Sequence, residues 1–335
     1  MTNDIKKMDD IISSTMDIKR PSLIKRLFTI NETVTENKVY LTPKIDVYVN
    51  GESQPDIKVE IKDAGLEEKI DSLAEYRLSK EPFYLTQNGE SKLFQTAFEQ
   101  KLPFMLKGPT GCGKTRFVEH MAYHLGKPLI TVSCQEDLSA SDLTGRIMLN
   151  QRGTYWQDGP LALAARYGGL CYLDEVVEAR NDVMVLIHSL TDHRRILPID
   201  KTGEVIKAHD DFMLVVSYNP NYQSALKGMK ESTRQRFLAL DFDYPSRELE
   251  IDVVKKESYI SHSDAAKLVD FGRCLRQMKD KGLKEGASTR LLIYAGQLMH
   301  SGVDQYTAIK SAIASPLTDE PDIYKSIMDL AKAKW

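Results

Sequence analysis

The chain has 335 residues, 42% of them hydrophobic and 28% charged, and its formal net charge is −3. This length is enough for two or three domains, and no apolar run approaches the ~18 residues that cross a bilayer. The near-neutral charge excludes bulk electrostatic attraction to nucleic acid, and the charged amino terminus lacks a signal-peptide core, so we expect a cytoplasmic protein without membrane insertion or a nucleic-acid partner.

Residues 1–75 differ in pattern from the rest of the chain. Apolar and polar residues alternate over 45–49 and again over 57–61, with a turn-forming Asn-Gly pair between the two stretches. Alternation of period two predicts strands, here a small β-hairpin unit, and the apolar spacing over 66–79 predicts a helix. No motif with recognisable chemistry falls in this segment. We therefore expect an N-terminal extension, either a docking appendage or a partly ordered tail.

From about residue 80, short apolar segments alternate with amphipathic ones. The apolar segments predict strands at 104–107, 129–133, 169–173, 212–217 and 238–242. The amphipathic segments predict helices at 114–126, 161–167, 181–190 and 226–235. Alternating strands and helices predict a mostly parallel sheet with helices on both faces.

The strand pattern ends at Pro245, and the rest of the chain favours consecutive helices. Examples of the helices predicted there are 262–280, 288–301 and 319–333. We therefore predict an α/β domain over 76–245, followed by a helical lid domain over 246–335.

A glycine-rich loop follows the first strand of the α/β domain and matches the pattern G-x-x-x-x-G-K-[ST]. It reads Gly108-Pro109-Thr110-Gly111-Cys112-Gly113-Lys114-Thr115. Its glycines let backbone N–H groups turn towards a phosphate, and the following helix adds a favourable dipole. In this pattern Lys114 reaches the β- and γ-phosphates, and the Thr115 hydroxyl binds Mg²⁺. The loop, with its strand and helix, predicts ATP as the ligand.

Two carboxylates, Asp174 and Glu175, end the apolar stretch that begins at residue 169. Asp174 at the end of a strand can hold Mg²⁺, and Glu175 is then placed to polarise an attacking water as a general base. Acidic pairs also occur on solvated turns, but the position after an apolar strand favours a nucleotide site.

Four further polar residues are candidates for hydrolysis. Asn219 follows the strand at 212–217 and could orient the attacking water. Arg234 and Arg236 follow in turn, and either could reach the γ-phosphate of a neighbouring subunit as an arginine finger. Arg290, at the start of a C-terminal helix, could contact phosphate from the lid side. Taken alone, each has an ordinary turn or surface interpretation.

His120 and His124 stand at positions i and i+4 of the helix after the loop, a spacing that can bind a metal. The Glu of a His-Glu-x-x-His motif is missing, no third ligand is indicated, and the four cysteines occur singly. Core or surface histidines are therefore the favoured interpretation.

Together these motifs resemble the MoxR branch of AAA+ ATPases, and most closely its CbbQ/NirQ/NorQ group. The resemblance is carried by the segments 102–118, 139–146, 172–180, 192–198 and 232–237. It implies a P-loop AAA+ core of the ASCE type, with a parallel five-stranded sheet and a C-terminal helical lid. The implied roles are Walker A for Lys114 and Thr115, Walker B for Asp174 and Glu175, sensor 1 for Asn219, sensor 2 for Arg290, and arginine finger for Arg236 with Arg234 as the alternative.

The resemblance also implies a homo-hexameric ring that hydrolyses ATP to remodel a client enzyme. A von Willebrand factor A-domain (VWA) adaptor would recruit either Rubisco or nitric oxide reductase, with a slight lean to Rubisco. A nucleotide-gated switch without sustained turnover is the alternative class, and an intact Glu175 and Arg236 argue against it. Residues 144–158 and 192–209 resemble insertions of this branch, and we expect hairpins there, with Tyr155 and Trp156 as exposed aromatic candidates for client contact.

Overall fold

The computed structural model describes residues 73–335 except 88, 151–152, 221–228, 280–281 and 284, together with the backbone of short strands before residue 73. The chain divides into two compact units, Met1–Ser72 and Leu73–Trp335. The domain boundaries predicted at 75/76 and 245/246 stay predictions.

The described part of the first unit consists of strands. These are β1 (Phe28–Asn31), β2 (Val39–Pro43), β3 (Tyr48–Val49), β4 (Glu52–Ser53) and β5 (Val59–Ile61). Strands β1, β2 and β5 form an antiparallel sheet, and β3 pairs with β4. The second alternating stretch, 57–61, contains β5, which pairs with β2, and the hairpin unit predicted for this segment stays a prediction. Half of the helix predicted over 66–79 lies outside the described residues, and its described half holds a single 3-10 turn, Ala74–Tyr76.

A parallel sheet organises the second unit. Its described strands are β6 (Phe104–Lys107), β7 (Leu129–Ser133), β8 (Gly145–Asn150), β9 (Gly153–Asp158), β10 (Gly169–Asp174), β11 (Ile196–Ile199), β12 (Glu204–Lys207), β13 (Phe212–Tyr218) and β14 (Leu238–Asp241). Among the described residues, the central sheet has five parallel strands in the order β14-β6-β13-β10-β7. Strand β13 is buried along its whole length, as expected for a strand covered on both faces. The predicted α/β architecture is confirmed.

Helices cover the sheet and then continue alone. Those described are α1 (Glu90–Glu99), α2 (Lys114–Leu125), α3 (Ala140–Thr144), α4 (Pro160–Tyr167), α5 (Asn181–His188), α6 (Glu231–Arg234), α7 (Arg247–Ser258), α8 (His262–Gln277), α9 (Thr289–His300), α10 (Gln305–Ile309), α11 (Ser315–Leu317) and α12 (Pro321–Lys334). A π-helical turn, Lys310–Ala314, joins α10 to α11. Helix α2 begins after Gly113 and ends at Gly126, which caps it with a left-handed conformation.

Three clusters of buried apolar side chains among the described residues hold these layers together. One lies on the face of the sheet that carries α4 and α5, and another contains Phe94, Phe104 and Phe117. The third belongs to helices α7–α12, here called the C-terminal helices, and includes Phe271 and Leu292. Within the described part of the chain, no helix combines the length and apolar character needed to cross a membrane.

Both predicted hairpins are present. Strand β8 pairs with β9, and β11 pairs with β12, each antiparallel. Tyr155 is exposed as expected, but the prediction for Trp156 was wrong. Trp156 is half-buried against the core, and its Nε1 donates a hydrogen bond to Asp158 at 2.9 Å. Besides Tyr155, the described part of this hairpin exposes Ile147 and Leu149, with 59% and 79% of their surface accessible.

Candidate nucleotide-binding site

The carboxyl ends of the parallel strands meet at one edge of the sheet, which is where open α/β sheets bind ligands. The loop Gly108–Thr115 leaves β6 at this edge, Asp174 ends β10, and Asn219 follows β13. Strands β6, β13 and β10 are adjacent, so the structure brings these three predicted elements together.

The loop Gly108–Thr115 is shaped by two glycines in backbone conformations that other residues rarely adopt. Gly111 has a φ of +69° and Gly113 a φ of +104°. A side chain at Gly111 would also meet the lid side of the molecule, because its Cβ would lie 2.5 Å from the Cβ of Ser288. The loop therefore depends on glycine both for its curvature and for its approach to the start of α9.

Lys114 lies inside the curve of this loop. Its side chain is buried, and its Nζ donates hydrogen bonds to the carbonyl oxygens of Gly108 at 2.9 Å and Pro109 at 3.0 Å. The ammonium group is therefore held where the phosphates of a nucleotide bind in loops of this type. Cys112 is buried beside it, and this burial raises the pKa of the thiol, so the side chain stays neutral.

The Asp174 carboxylate is held by hydroxyl groups. The hydroxyls of Tyr172, at 2.7 Å, and Ser217 both donate to Asp174 Oδ1. The other oxygen, Oδ2, accepts a hydrogen bond from Thr115 Oγ1 at 3.4 Å. Burial raises the pKa of Tyr172, so it remains a neutral donor. Oδ2 and the Thr115 hydroxyl thus bring two oxygen atoms together at the mouth of the loop.

Glu175 follows directly and adopts a left-handed backbone conformation, with a φ of 53°. Its backbone N–H donates to Ser217 Oγ at 3.2 Å, which fixes the turn after β10. Burial raises the pKa of the Glu175 carboxyl, although the nearby Lys114 ammonium opposes this shift. A carboxylate with a raised pKa is better able to accept a proton from water.

Asn219 is completely buried beside the loop. Its Nδ2 donates to Thr110 Oγ1 at 3.4 Å and to Glu285 Oε1 at 3.2 Å. The amide therefore bridges the glycine-rich loop and the segment before α9.

A cleft of about 580 Å³ opens along this edge, which is within the usual size of small-molecule sites. Residues 110–116, Asp174 and Glu175 line its polar side, and Arg290, an exposed residue at the start of α9, lines the opposite side. The remaining lining is largely apolar and aromatic, and includes Phe83, Tyr84, Leu85, Leu249, Val253, Ile293 and Tyr294. This wall was not predicted, because its members come from separate elements without a shared motif.

Arg234 and Arg236 lie elsewhere. Within the described part of the chain, neither lines the cleft, and both are exposed at the end of α6. Arg236 Nη1 donates to the carbonyl oxygen of His188 at 3.4 Å, and Arg234 pairs with Glu231 at 3.7 Å. Both guanidinium groups are therefore free to face a neighbouring molecule, and their local contacts do not distinguish them.

One link between the C-terminal helices and the loop has no counterpart in the sequence analysis. Glu250 is completely buried and accepts hydrogen bonds from both terminal nitrogens of Arg276, at 2.6 and 2.8 Å, and from Thr289 Oγ1 at 2.6 Å. The Arg276 guanidinium also stacks 3.7 Å from the ring centre of Tyr244. The Tyr244 hydroxyl donates to the carbonyl oxygen of Thr110 at 3.3 Å. A buried ion pair is thus connected to the glycine-rich loop through one aromatic ring.

Comparisons with known proteins agree with this architecture. Residues 103–237 match the family model of the AAA domain (dynein-related subfamily), and residues 250–334 match that of the CbbQ/NirQ/NorQ C-terminal domain. Protein CbbQ of Hydrogenophilus thermoluteolus is 55% identical over 254 residues, which is 76% of this chain and 95% of the relative. Protein NorQ of Paracoccus denitrificans (strain Pd 1222) is 53% identical over 75% of this chain and 93% of the relative. The denitrification regulatory protein NirQ of Stutzerimonas stutzeri is 52% identical over 74% and 90%.

Proposed function

The chain belongs to the CbbQ/NirQ/NorQ family of AAA+ ATPases, and from that premise we propose that it uses ATP hydrolysis to remodel a client enzyme complex. The observation that carries the proposal is the single cleft that the glycine-rich loop, Asp174, Glu175 and Arg290 all line. These groups could bind a nucleoside triphosphate, activate a water and contact phosphate from the helical side.

Each polar group of the loop side has a proposed part in hydrolysis. Lys114 and the backbone N–H groups of the loop bind the phosphates, and Glu175 takes a proton from the attacking water. Asn219 orients that water. The Thr115 hydroxyl and Asp174 Oδ2, 3.4 Å apart, are the hard oxygen ligands that Mg²⁺ prefers, so these residues fit the ion. When bound, Mg²⁺ would neutralise charge on the phosphates.

Two arginines complete the proposed site from other directions. Arg290 contacts phosphate from the C-terminal helices, as sensor 2. Arg236 acts on the nucleotide of the neighbouring subunit in a hexameric ring, with Arg234 as the alternative. The exposure of both guanidinium groups outside their own cleft supports a role at a subunit interface.

The proposed client is an enzyme complex recruited by a VWA-domain adaptor. Of the two proposed clients, Rubisco is slightly favoured over nitric oxide reductase. The sequence identities do not separate the two clients, because they are 55% to CbbQ and 53% to NorQ. The exposed Ile147, Leu149 and Tyr155 of the β8–β9 hairpin offer an apolar surface for such a partner.

Affinity capture tests this proposal. A Glu175→Gln chain held in ATP would be used as bait in the native cell, with the Lys114→Ala chain as the matched control that cannot load nucleotide. We expect an A-domain protein together with Rubisco or nitric oxide reductase, captured only by the ATP-loaded bait. Recovery of the same proteins by both baits, or of the bait alone from a well-formed ring, would contradict the remodelling proposal.

A nucleotide-gated switch remains the second candidate. The completely buried Asn219, which bridges the loop to the segment before α9, could transmit nucleotide state without turnover. Sustained phosphate release from the purified chain or its adaptor complex would exclude this candidate, and its absence under both conditions would favour it.

A further inference from the structure

Three side chains with metal-binding atoms meet on the outer side of α2, away from the groups that the proposed hydrolysis uses. They are Glu81, His120 and His124, and each offers one ligand atom within 4.8 Å of the other two. The two imidazole rings have centroids 4.2 Å apart, and His124 Nε2 lies 3.0 Å from Glu81 Oε1. The third ligand that the sequence did not indicate is thus supplied by the fold.

Contacts on both sides of Glu81 fix it beside α2. Upstream, Arg77 Nη1 donates to the carbonyl oxygen of Gly126, at the end of the helix, at 2.7 Å. Downstream, the Tyr84 ring lies 5.3 Å from the ring of His120 and 5.4 Å from that of Phe117. The packing of the segment 77–87 along α2 therefore determines where Glu81 lies relative to the two histidines, and the position does not depend on one flexible side chain.

A second observation concerns His120. The residue is 8% exposed, and its Nδ1 is buried without a hydrogen-bond partner among the described residues. A buried polar atom without a partner costs about 1–3 kcal/mol, so native structures rarely retain one without compensation. An ion bound through that nitrogen would satisfy it.

We propose that Glu81, His120 and His124 form a site for a divalent transition-metal ion, with Zn²⁺ as the representative ion. Two imidazole nitrogens and one carboxylate oxygen are the donors of many zinc sites, and a fourth position would be filled by water. Donor atoms around a tetrahedral zinc lie about 3.4 Å apart, so small side-chain rotations would bring these three into range. Glu81 and His124 have side chains that are 54% and 49% exposed, which leaves an entry path for the ion.

The position of the site gives the ion a consequence for nucleotide binding. The apolar wall of the cleft includes three residues that come just after Glu81 in the chain, Phe83, Tyr84 and Leu85. Helix α2 begins with Lys114 and Thr115 of the glycine-rich loop. An ion held by Glu81 and both histidines would tie this wall to the phosphate-binding helix, and ordering the wall before nucleotide arrives should raise nucleotide affinity.

Metal titration of the full-length chain, stripped of metal and free of nucleotide, tests the site. We expect one Zn²⁺ per chain by calorimetry, and a Co²⁺ spectrum without a thiolate charge-transfer band. Loss of a residue that only hydrogen-bonds to a metal ligand typically lowers metal affinity 10–100-fold. Glu81→Gln and His124→Gln each remove a proposed ligand itself, so each should weaken Zn²⁺ binding more than about tenfold. Both positions are exposed, and these variants should fold. Glu99→Gln and His300→Gln, also at exposed positions, are the matched controls and should leave the affinity unchanged.

Three results would overturn the site. These are absence of Zn²⁺ binding by the parent chain, equal affinity in the ligand and control variants, and a Co²⁺ spectrum dominated by thiolate. Because the titration contains no nucleotide, its outcome is independent of the proposed hydrolysis.

The coupling to nucleotide is measured separately. Stoichiometric Zn²⁺ should tighten ADP binding by about fivefold or more, as coupled sites commonly do, and the effect should disappear in Glu81→Gln. The variant also corrects for direct association of Zn²⁺ with ADP. Equal responses of the parent and the variant would overturn the coupling.

Discussion

The two walls of the cleft are built in different ways. On the sheet side, Lys114 and Asp174 are each held by at least two hydrogen bonds, and Asn219 is completely buried. On the helical side, the lining is mainly apolar, with Leu249 and Ile293 as examples, and most of its polar support lies behind the surface in the Glu250 ion pair. The charged group that this wall presents at the start of α9, Arg290, is exposed.

The difference indicates that the two walls have different roles in binding and hydrolysis. Polar groups with fixed positions can stabilise charge that develops during a reaction, because they need no rearrangement when it happens. Apolar surfaces add affinity in proportion to the area they bury, without strict geometry. We therefore expect changes on the sheet side to affect chemistry in large steps, and changes on the helical side to act on stability and closure.

The largest effect is expected for Lys114→Ala. Removing the ammonium group leaves the phosphates without their main cation, so nucleotide affinity should fall more than about 100-fold, and turnover should disappear with it. Calorimetry with ADP and ATP measures this. Lys107→Ala, which removes an ion pair with Asp241 at the end of β6, is the matched control and should bind normally. Retained affinity in Lys114→Ala would remove this residue from the phosphate site.

The second-largest effect is expected for Arg236, which does not line the nucleotide cleft of its own chain. Arg236→Ala should lower ATP turnover by about 10³-fold or more while nucleotide affinity stays near normal. Mixing this variant with Glu175→Gln subunits should restore part of the activity, because some interfaces then combine an intact Arg236 with an intact Glu175. Absence of rescue by Glu175→Gln subunits would show that the neighbour does not complete the site through Arg236.

Glu175→Gln separates catalysis from nucleotide binding on the sheet side of the cleft. The amide keeps the size of the side chain but cannot take a proton, so turnover should fall about 10²–10⁴-fold with ATP affinity preserved. Steady-state phosphate release and equilibrium binding separate the two quantities. Glu178→Gln, in the 3-10 turn Val176–Glu178 that follows, is the control and should hydrolyse ATP normally. Unchanged hydrolysis by Glu175→Gln would exclude it as the base.

The helical side is tested by Arg276→Met. This change leaves the completely buried Glu250 carboxylate without its positively charged partner, and should lower the free energy of unfolding by about 3–5 kcal/mol. The control is Arg247→Met, which breaks an ion pair with Asp270 whose side chains are 41% and 37% exposed, and should cost less than about 1 kcal/mol. Chemical denaturation measures both. Equal costs would mean that burial does not distinguish the two pairs.

The sequence predicted the sheet well because its strands are buried on both faces and therefore read as continuous apolar runs. Helix α7 lies within the predicted run of helices over 246–335, but it was given no bounds of its own, since one of its buried positions is the charged Glu250, which interrupts the apolar pattern. The apolar wall of the cleft and the trio on α2 could not be predicted either. Glu81 and His124 are 43 positions apart, and only the packing of the segment before α1 brings them together.

The motif residues of the site were predicted for a different reason. Loop and carboxylate positions follow from local spacing, because a strand, a turn and a helix in sequence suffice to place them. Trp156 shows the limit of the same approach. Its position in a hairpin was predicted, but the face of the strand that it occupies depends on the pairing of Ile147 with it, which local composition does not reveal.

The backbone of Glu175 carries one more consequence. A left-handed conformation, with φ 53° and ψ 47°, costs a residue with a side chain on the order of 1 kcal/mol, which glycine avoids. The raised pKa of this half-buried carboxyl marks a second unfavourable feature at the same position. Selection for stability alone would therefore place glycine at 175. We expect Glu175→Gly to melt at a higher temperature than the parent chain and to lose ATP hydrolysis. That result would show that the glutamate at this position lowers stability in exchange for activity.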